Sequence, residues 1–170
     1  MDRVKGRIAI VTGGAQGLGK AISMRLAEEG AYVNIFDIGD AEPAVKEIRD
    51  AGFGAKSYTV NVAKHEEVES AVQAAIKKFG KVDILVNNAG VVSAHENLLT
   101  VTNEIWDREI AIDLTGTFYC CRYGKTSDQP GLFRRQSRSL WVDNVNGEVC
   151  SEARNQCKCR LPRSYFNWNS

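Results

Sequence analysis

Eight residues constrain this chain more than any others: Thr12-Gly-Gly-Ala-Gln-Gly-Leu-Gly19. They follow a short, β-rich apolar run at 7–12. They open an amphipathic stretch at 17–29 that carries Ile22 and Leu26 on one face and stops at Gly30. Glycines at such a junction permit a left-handed backbone and let it approach a bound group closely. A helix starting directly after them offers unpaired N–H groups and the positive end of its dipole. That combination suits the pyrophosphate of a dinucleotide, with Gly13, Gln16, Gly17, Leu18 and Gly19 as candidate contacts. A plain tight turn is the alternative; the matching strand, helix and spacing favour the phosphate loop.

The same rhythm continues. The pattern predicts strands at 31–37, 55–60 and 82–86 and helices at 42–51 and 64–79. Pro43 opens the second helix and Gly52 closes it. Val68, Val72, Ala75, Ile76 and Phe79 form one stripe of the third, which Gly80 caps. A long helix is expected over about 103–123. Strands alternating with helices give an α/β fold with a Rossmann-like, doubly wound parallel sheet of strand order 3-2-1-4.

Asp37 ends the second predicted strand, close to the distance past the glycines where an acid meets the adenosine ribose. A carboxylate there accepts from the ribose hydroxyls and repels a 2′-phosphate. Its neighbours in Phe36-Asp37-Ile38-Gly39 include no Arg or Lys, which favours NAD over NADP. A solvated turn acid is the alternative.

Composition divides the chain near Tyr123. Residues 124–170 hold eight of the 22 basic residues but four of the 21 acidic ones, and no Ile. Residues 1–123 are expected to form the nucleotide-binding domain, and 124–170 an irregular basic tail. Residues 141–145 are the one stretch there that passes for a strand. Cys150, Cys157 and Cys159 lack the histidine and closed spacing of a zinc site, so no metal is expected. The tail arginines with Trp141, Tyr165, Phe166 and Trp168 match no nucleic-acid motif, so no nucleic-acid partner is expected. No apolar run suits a membrane span, and Met1-Asp-Arg-Val-Lys-Gly6 lacks the apolar core of a secretory signal. Five cysteines in that setting suggest reduced thiols in the cytoplasm.

The glycine loop, together with Asn87-Asn-Ala-Gly90 at the end of the fourth strand, resembles the short-chain dehydrogenases/reductases. The resemblance covers about residues 5–123. It implies that Asn88, Ala89 and Gly90 pack beside the cofactor ribose, and that Ile112 lies toward the nicotinamide. It also places Asn61 and Val62 beside the adenine, where the family usually has Asp-Val. The implied activity is hydride transfer between a nicotinamide and a secondary alcohol or carbonyl. The implied machinery is a Tyr, a Lys four residues later, a Ser and an Asn; the Lys lowers the Tyr pKa toward working pH.

The chain departs from that pattern. The Asn position holds Asp113, a candidate catalytic residue only by position; the alternative is a helix acid paired with Arg108. None of the five tyrosines has a Lys four places on. Codon degeneracy supplies a reason. Read one nucleotide later, the codons of 132–137 permit Tyr-Ser-Ala-Ala-Lys-Ala, and those of 155–163 permit Ile-Asn-Val-Asn-Ala-Val-Cys-Pro-Gly. Both resemble family motifs, at the family's interval. The tail is thus expected to be an out-of-frame reading, with the Ser strand lost between Tyr123 and Leu132. The chain is expected to be an NAD-dependent oxidoreductase by ancestry, catalytically incomplete as it stands; the alternative is an inactive truncated form that keeps only a dinucleotide-binding or interaction role. Its fourth strand is expected to be an unpaired edge prone to self-association.

Overall fold

A computed structural model describes residues 2–92, 98–124, 140–143 and 148–151. Its sheet runs in the order β3-β2-β1-β4-β5-β6. The first four strands are β1 (Ile8–Thr12), β2 (Tyr32–Asp37), β3 (Ala55–Thr59) and β4 (Ile84–Asn87), all parallel. The 3-2-1-4 order expected from the sequence is therefore present.

Side chains alternate across the sheet and split the core into two layers. Ala9, Val11, Val33, Ile35 and Val86 face one way, toward α1 (Gly17–Glu28) and α2 (Glu42–Asp50). Ile10, Phe36 and Leu85 face the other, toward Val68, Val72 and Ala75 of α3 (His65–Phe79). β1, β2 and β4 are covered on both faces, which is why they read as nearly continuous apolar runs.

The contact stripe of α1 differs from the expected one. Gly19, Ser23 and Ala27 are its buried residues, while Ile22 and Leu26 pack partly buried beside them. Small residues let the helix approach the sheet closely, and the Ser23 hydroxyl is satisfied by donating to Gly19 O at 2.8 Å. In α3 the expected stripe holds at Val68, Val72 and Ala75, and Phe79 instead stacks on Tyr32 at 4.4 Å. Gly80 ends α3 with φ +74°, the left-handed closure that glycine supplies.

The long helix after β4 is interrupted. It consists of α4 (Asn103–Glu109), a π-helical segment (Ile110–Gly116) and α5 (Thr117–Gly124). Thr102 caps α4 by accepting from Ile105 N–H. Gly116 lies against Val62, where a Cβ would come within 2.9 Å of Cγ2. Helical periodicity survives a π turn too well for sequence patterning to reveal it.

The irregular tail needs correcting in two places. Backbone at β5 (Leu140–Asp143) pairs parallel with β4, and β6 (Glu148–Ser151) pairs antiparallel with β5. β4 is thus an interior strand, not an unpaired edge. The two re-read stretches, 132–137 and 155–163, lie outside the described residues.

Candidate functional site

The C-terminal ends of β1, β2 and β4 frame one cleft of about 260 Å³. Its position is the crevice where the strand order reverses, the usual ligand site of such sheets.

The glycine loop forms the floor. Gly13 sits at φ +63°, and a Cβ there would come within 2.9 Å of Ala89 Cα. A Cβ on Gly19 would overlap both Gly13 O and Asn88 Nδ2. Here the backbone turns directly into α1. The N-cap, Gln16, makes no side-chain cap bond, and the first turn holds no acidic residue. The first N–H groups of α1 are thus left without a side-chain cap and without a local negative charge, which suits an anionic ligand.

Thr12 locks this floor to the β4 side. Its hydroxyl oxygen accepts from Asn88 N–H and Ala89 N–H, each at 3.0 Å, and donates to Val86 O at 3.3 Å. Asn88 Nδ2 donates to Thr12 O and Gly13 O, again at 3.0 Å. Sequence reading missed the role of Thr12. The available signal was a hydroxyl at the last residue of a buried strand, where backbone groups leave the ladder.

Asp37 stands on the β2 side. Its Oδ2 accepts from Ala15 N–H and its Oδ1 from Gly39 N–H, both at 2.9 Å. The carboxylate therefore shapes the loop as well as facing the cleft, more than a solvated turn acid does. Ile38 beside it is 70% exposed, an apolar surface at the cleft mouth. Asn61 is fixed from both ends: Oδ1 accepts from Ala63 N–H at 3.0 Å, and its own N–H donates to Glu67 at 2.8 Å. That backbone bond, with Lys64 beside it, holds the Glu67 carboxyl below its ordinary pKa. Val62 is buried behind Asn61.

On the far side lie Gly90, Val91 and Ile112. Asp113 belongs to the π segment, and its Oδ1 accepts from Val91 N–H at 3.0 Å. The alternative reading of Asp113, a helix acid paired with Arg108, is not what the structure shows: the side chain anchors the loop after β4, and among the described residues no ion pair joins the two.

The structure brings ten candidate residues to this cleft: Gly13, Gln16, Asp37, Ile38, Asn61, Val62, Asn88, Ala89, Gly90 and Ile112. Gly17, Leu18 and Gly19 do not line it; Gly17 turns the chain at φ +55°, Leu18 is exposed, and Gly19 packs beneath the loop. Phe36, Val60 and Val91 are lining residues that sequence reading missed. Phe36 and Val60 sit at strand ends and read simply as core. Nearby on α5, burial pushes the Cys120 thiol up to about 12, with Cys121 adding to the effect, so it is a packing group and not a nucleophile. Among the described residues, no cluster of His, Cys, Asp and Glu could hold a metal ion, and no helix is long and apolar enough to cross a membrane.

Residues 7–127 match the family described as short chain dehydrogenase. The 3-oxoacyl-(acyl-carrier-protein) reductase FabG of Staphylococcus epidermidis is 40% identical over 136 residues, covering 78% of this chain and 53% of the reductase. An uncharacterized oxidoreductase of Thermotoga maritima is 36% identical over 122 residues, 71% of this chain and 47% of that protein. Among solved structures, carveol dehydrogenase from Mycobacterium avium in complex with NAD superposes with TM-score 0.69 at 29% identity, over 73% of this chain and 50% of that one. The 3-ketoacyl-(acyl-carrier-protein) reductase from Brucella melitensis complexed with NADH gives TM-score 0.65 at 38% identity, over 69% and 48%. The chain spans about half the length of the relatives it matches.

Proposed function

The chain belongs to the short-chain dehydrogenase family of oxidoreductases, and from that premise we propose that residues 2–123 bind NAD in the cleft between β2 and β4. The observation that carries this reading is one cleft lined by both Asp37 and Gln16, the N-cap of a helix that begins without a side-chain cap. The N–H groups of α1 take the pyrophosphate; Asp37 takes the adenosine ribose hydroxyls and repels a 2′-phosphate. Asn61 and Val62 flank the adenine, and Asn88, Ala89 and Gly90 the second ribose. Ile112 lies toward the nicotinamide. Two relatives of known structure carry NAD or NADH, which supports the choice of coenzyme. When bound, the nicotinamide supplies the hydride chemistry. The substrate class is a secondary alcohol or carbonyl compound, and the location cytoplasmic. Calorimetric titration with NAD and NADP tests the reading: tighter binding of NAD supports it, and tighter binding of NADP overturns the role of Asp37.

The chain binds the coenzyme without completing the proton transfer, because none of its tyrosines has a Lys four residues on. Residues from about 124 onward read as an out-of-frame translation of a family C-terminal half. Sequencing the coding nucleotides across 123–170 tests this. Both Tyr-Ser-Ala-Ala-Lys-Ala and Ile-Asn-Val-Asn-Ala-Val-Cys-Pro-Gly are expected in the next frame, and the absence of either refutes the idea. Turnover of a secondary alcohol by the purified chain would refute the incomplete chemistry.

A further inference from the structure

Asp113 sits on the π segment next to Ile112, which lines the cleft. Its Oδ1 accepts from Val91 N–H at 3.0 Å and lies 3.4 Å from where a Cβ on Gly90 would be. Gly90 and Val91 are themselves cleft wall. The carboxylate therefore rests on backbone that faces the cleft on its β4 side. It is exposed, and among the described residues it forms no ion pair.

Placement follows from topology. A dinucleotide in a doubly wound sheet crosses the point where strand order reverses, with its pyrophosphate at the first helix. Here the reversal lies between β1 and β4. Asp37 at the end of β2 puts the adenosine half on the β2 side, and the nicotinamide half then falls on the β4 side, beside Asp113. The oxidised nicotinamide ring carries a positive charge and the reduced ring is neutral; the rest of the molecule is the same. A fixed negative charge on that side thus acts on one redox state and not on the other.

We infer that Asp113 is a specificity-determining residue that makes the cleft prefer the oxidised coenzyme over the reduced one. The inference rests on the dinucleotide-binding reading above. It concerns a charge difference and requires no turnover, so it applies whether or not the chain completes a reaction. The carboxylate also has a structural duty toward Val91. An amide keeps an acceptor oxygen for that N–H, so Asp113→Asn removes the charge and spares the anchor.

The test is binding by the full chain. Calorimetry gives Kd for NAD+, NADH and ADP-ribose, the last of which lacks the nicotinamide. For Asp113→Asn, the ratio of Kd for NADH to Kd for NAD+ is expected to fall about threefold, as for unit charges ~6 Å apart in a water-like dielectric. Binding of ADP-ribose is expected to stay unchanged, since that ligand lacks the ring and the variant spares the anchor; a merely structural role would leave the ratio itself unmoved. In the unmodified chain the same ratio is expected to fall with added salt, as the screening length shrinks from ~30 Å to ~3 Å. A ratio unaltered in Asp113→Asn overturns the inference and leaves the dinucleotide reading standing. If that variant does not fold, a salt-insensitive ratio in the unmodified chain overturns it equally. Failure of the folded chain to bind any of the three ligands overturns both readings.

Discussion

The two sides of the cleft are built by different means. On the β1–β2 side, backbone does the work: glycines clear the space, α1 presents its N–H groups, and Asp37 holds Ala15 and Gly39 by their amides. On the β4 side, the wall at Gly90 and Val91 is held from across the chain by Asp113, a side chain on an irregular helical turn. The first side is rigid because main-chain geometry leaves it few alternatives. The second depends on one exposed carboxylate and is correspondingly open to change by a single substitution.

The largest expected effect breaks the first side. In Gly19→Val the new side chain has nowhere to go except into Gly13 O and Asn88 Nδ2. We expect loss of coenzyme binding and destabilisation of ~3 kcal/mol, the upper range for overpacking, read by denaturant melts and calorimetry. Next is Thr12→Val, which severs the lock between the sides. It leaves the N–H groups of Asn88 and Ala89 without their acceptor. Chemical denaturation is expected to show a loss of about 2 kcal/mol, the cost of stranding such donors.

Asp37→Ser sharpens the comparison by changing selectivity on the β2 side alone. Losing a charge-assisted bond to a ribose hydroxyl costs about tenfold in NAD affinity. NADP is expected to bind no worse, since the repelling charge is gone. Paired titrations of the two coenzymes measure the change.

The smallest effect on coenzyme binding is expected of a control far from both sides. Glu29 is buried near the start of the chain, where Arg3 and Arg25 both pair with it. The hydrogen bond from Arg3 is the main cause that holds its carboxyl down at about 2. A depressed folded value means that this contribution is present above the unfolded value of ~4.3 and is lost as pH falls toward the folded one. Thermal melts from pH 7 down to about 2 are therefore expected to converge for the parent and Glu29→Gln at the acid end. Coenzyme Kd is expected to be the same for both, since Glu29 does not line the cleft.

Legibility follows the same division. The glycine loop could be read directly because only glycine tolerates φ +63° at Gly13 and the crowding at Gly19. The order of the first four strands is legible because β1, β2 and β4, buried on both faces, read as apolar runs with helices between the strands. The Asp113–Val91 bond was not legible: the partners lie 22 residues apart, and no local periodicity links them. The π turn hid inside an unbroken helical pattern. Thr12 opens the glycine motif, but its three-way bonding depends on where β4 ends, which spacing alone does not fix. Pairing at β5 escaped notice because residues 140–143 have only one strand-like neighbourhood and no repeat around them.

We propose that this chain, about half the length of the relatives it matches, binds NAD on its own. Isothermal titration of the folded full chain with NAD, alongside Gly19→Val, tests it most directly. The account predicts saturable one-to-one binding that the substitution removes. A well-folded parent chain that gives no binding heat, or a variant that binds as tightly as the parent, would contradict it.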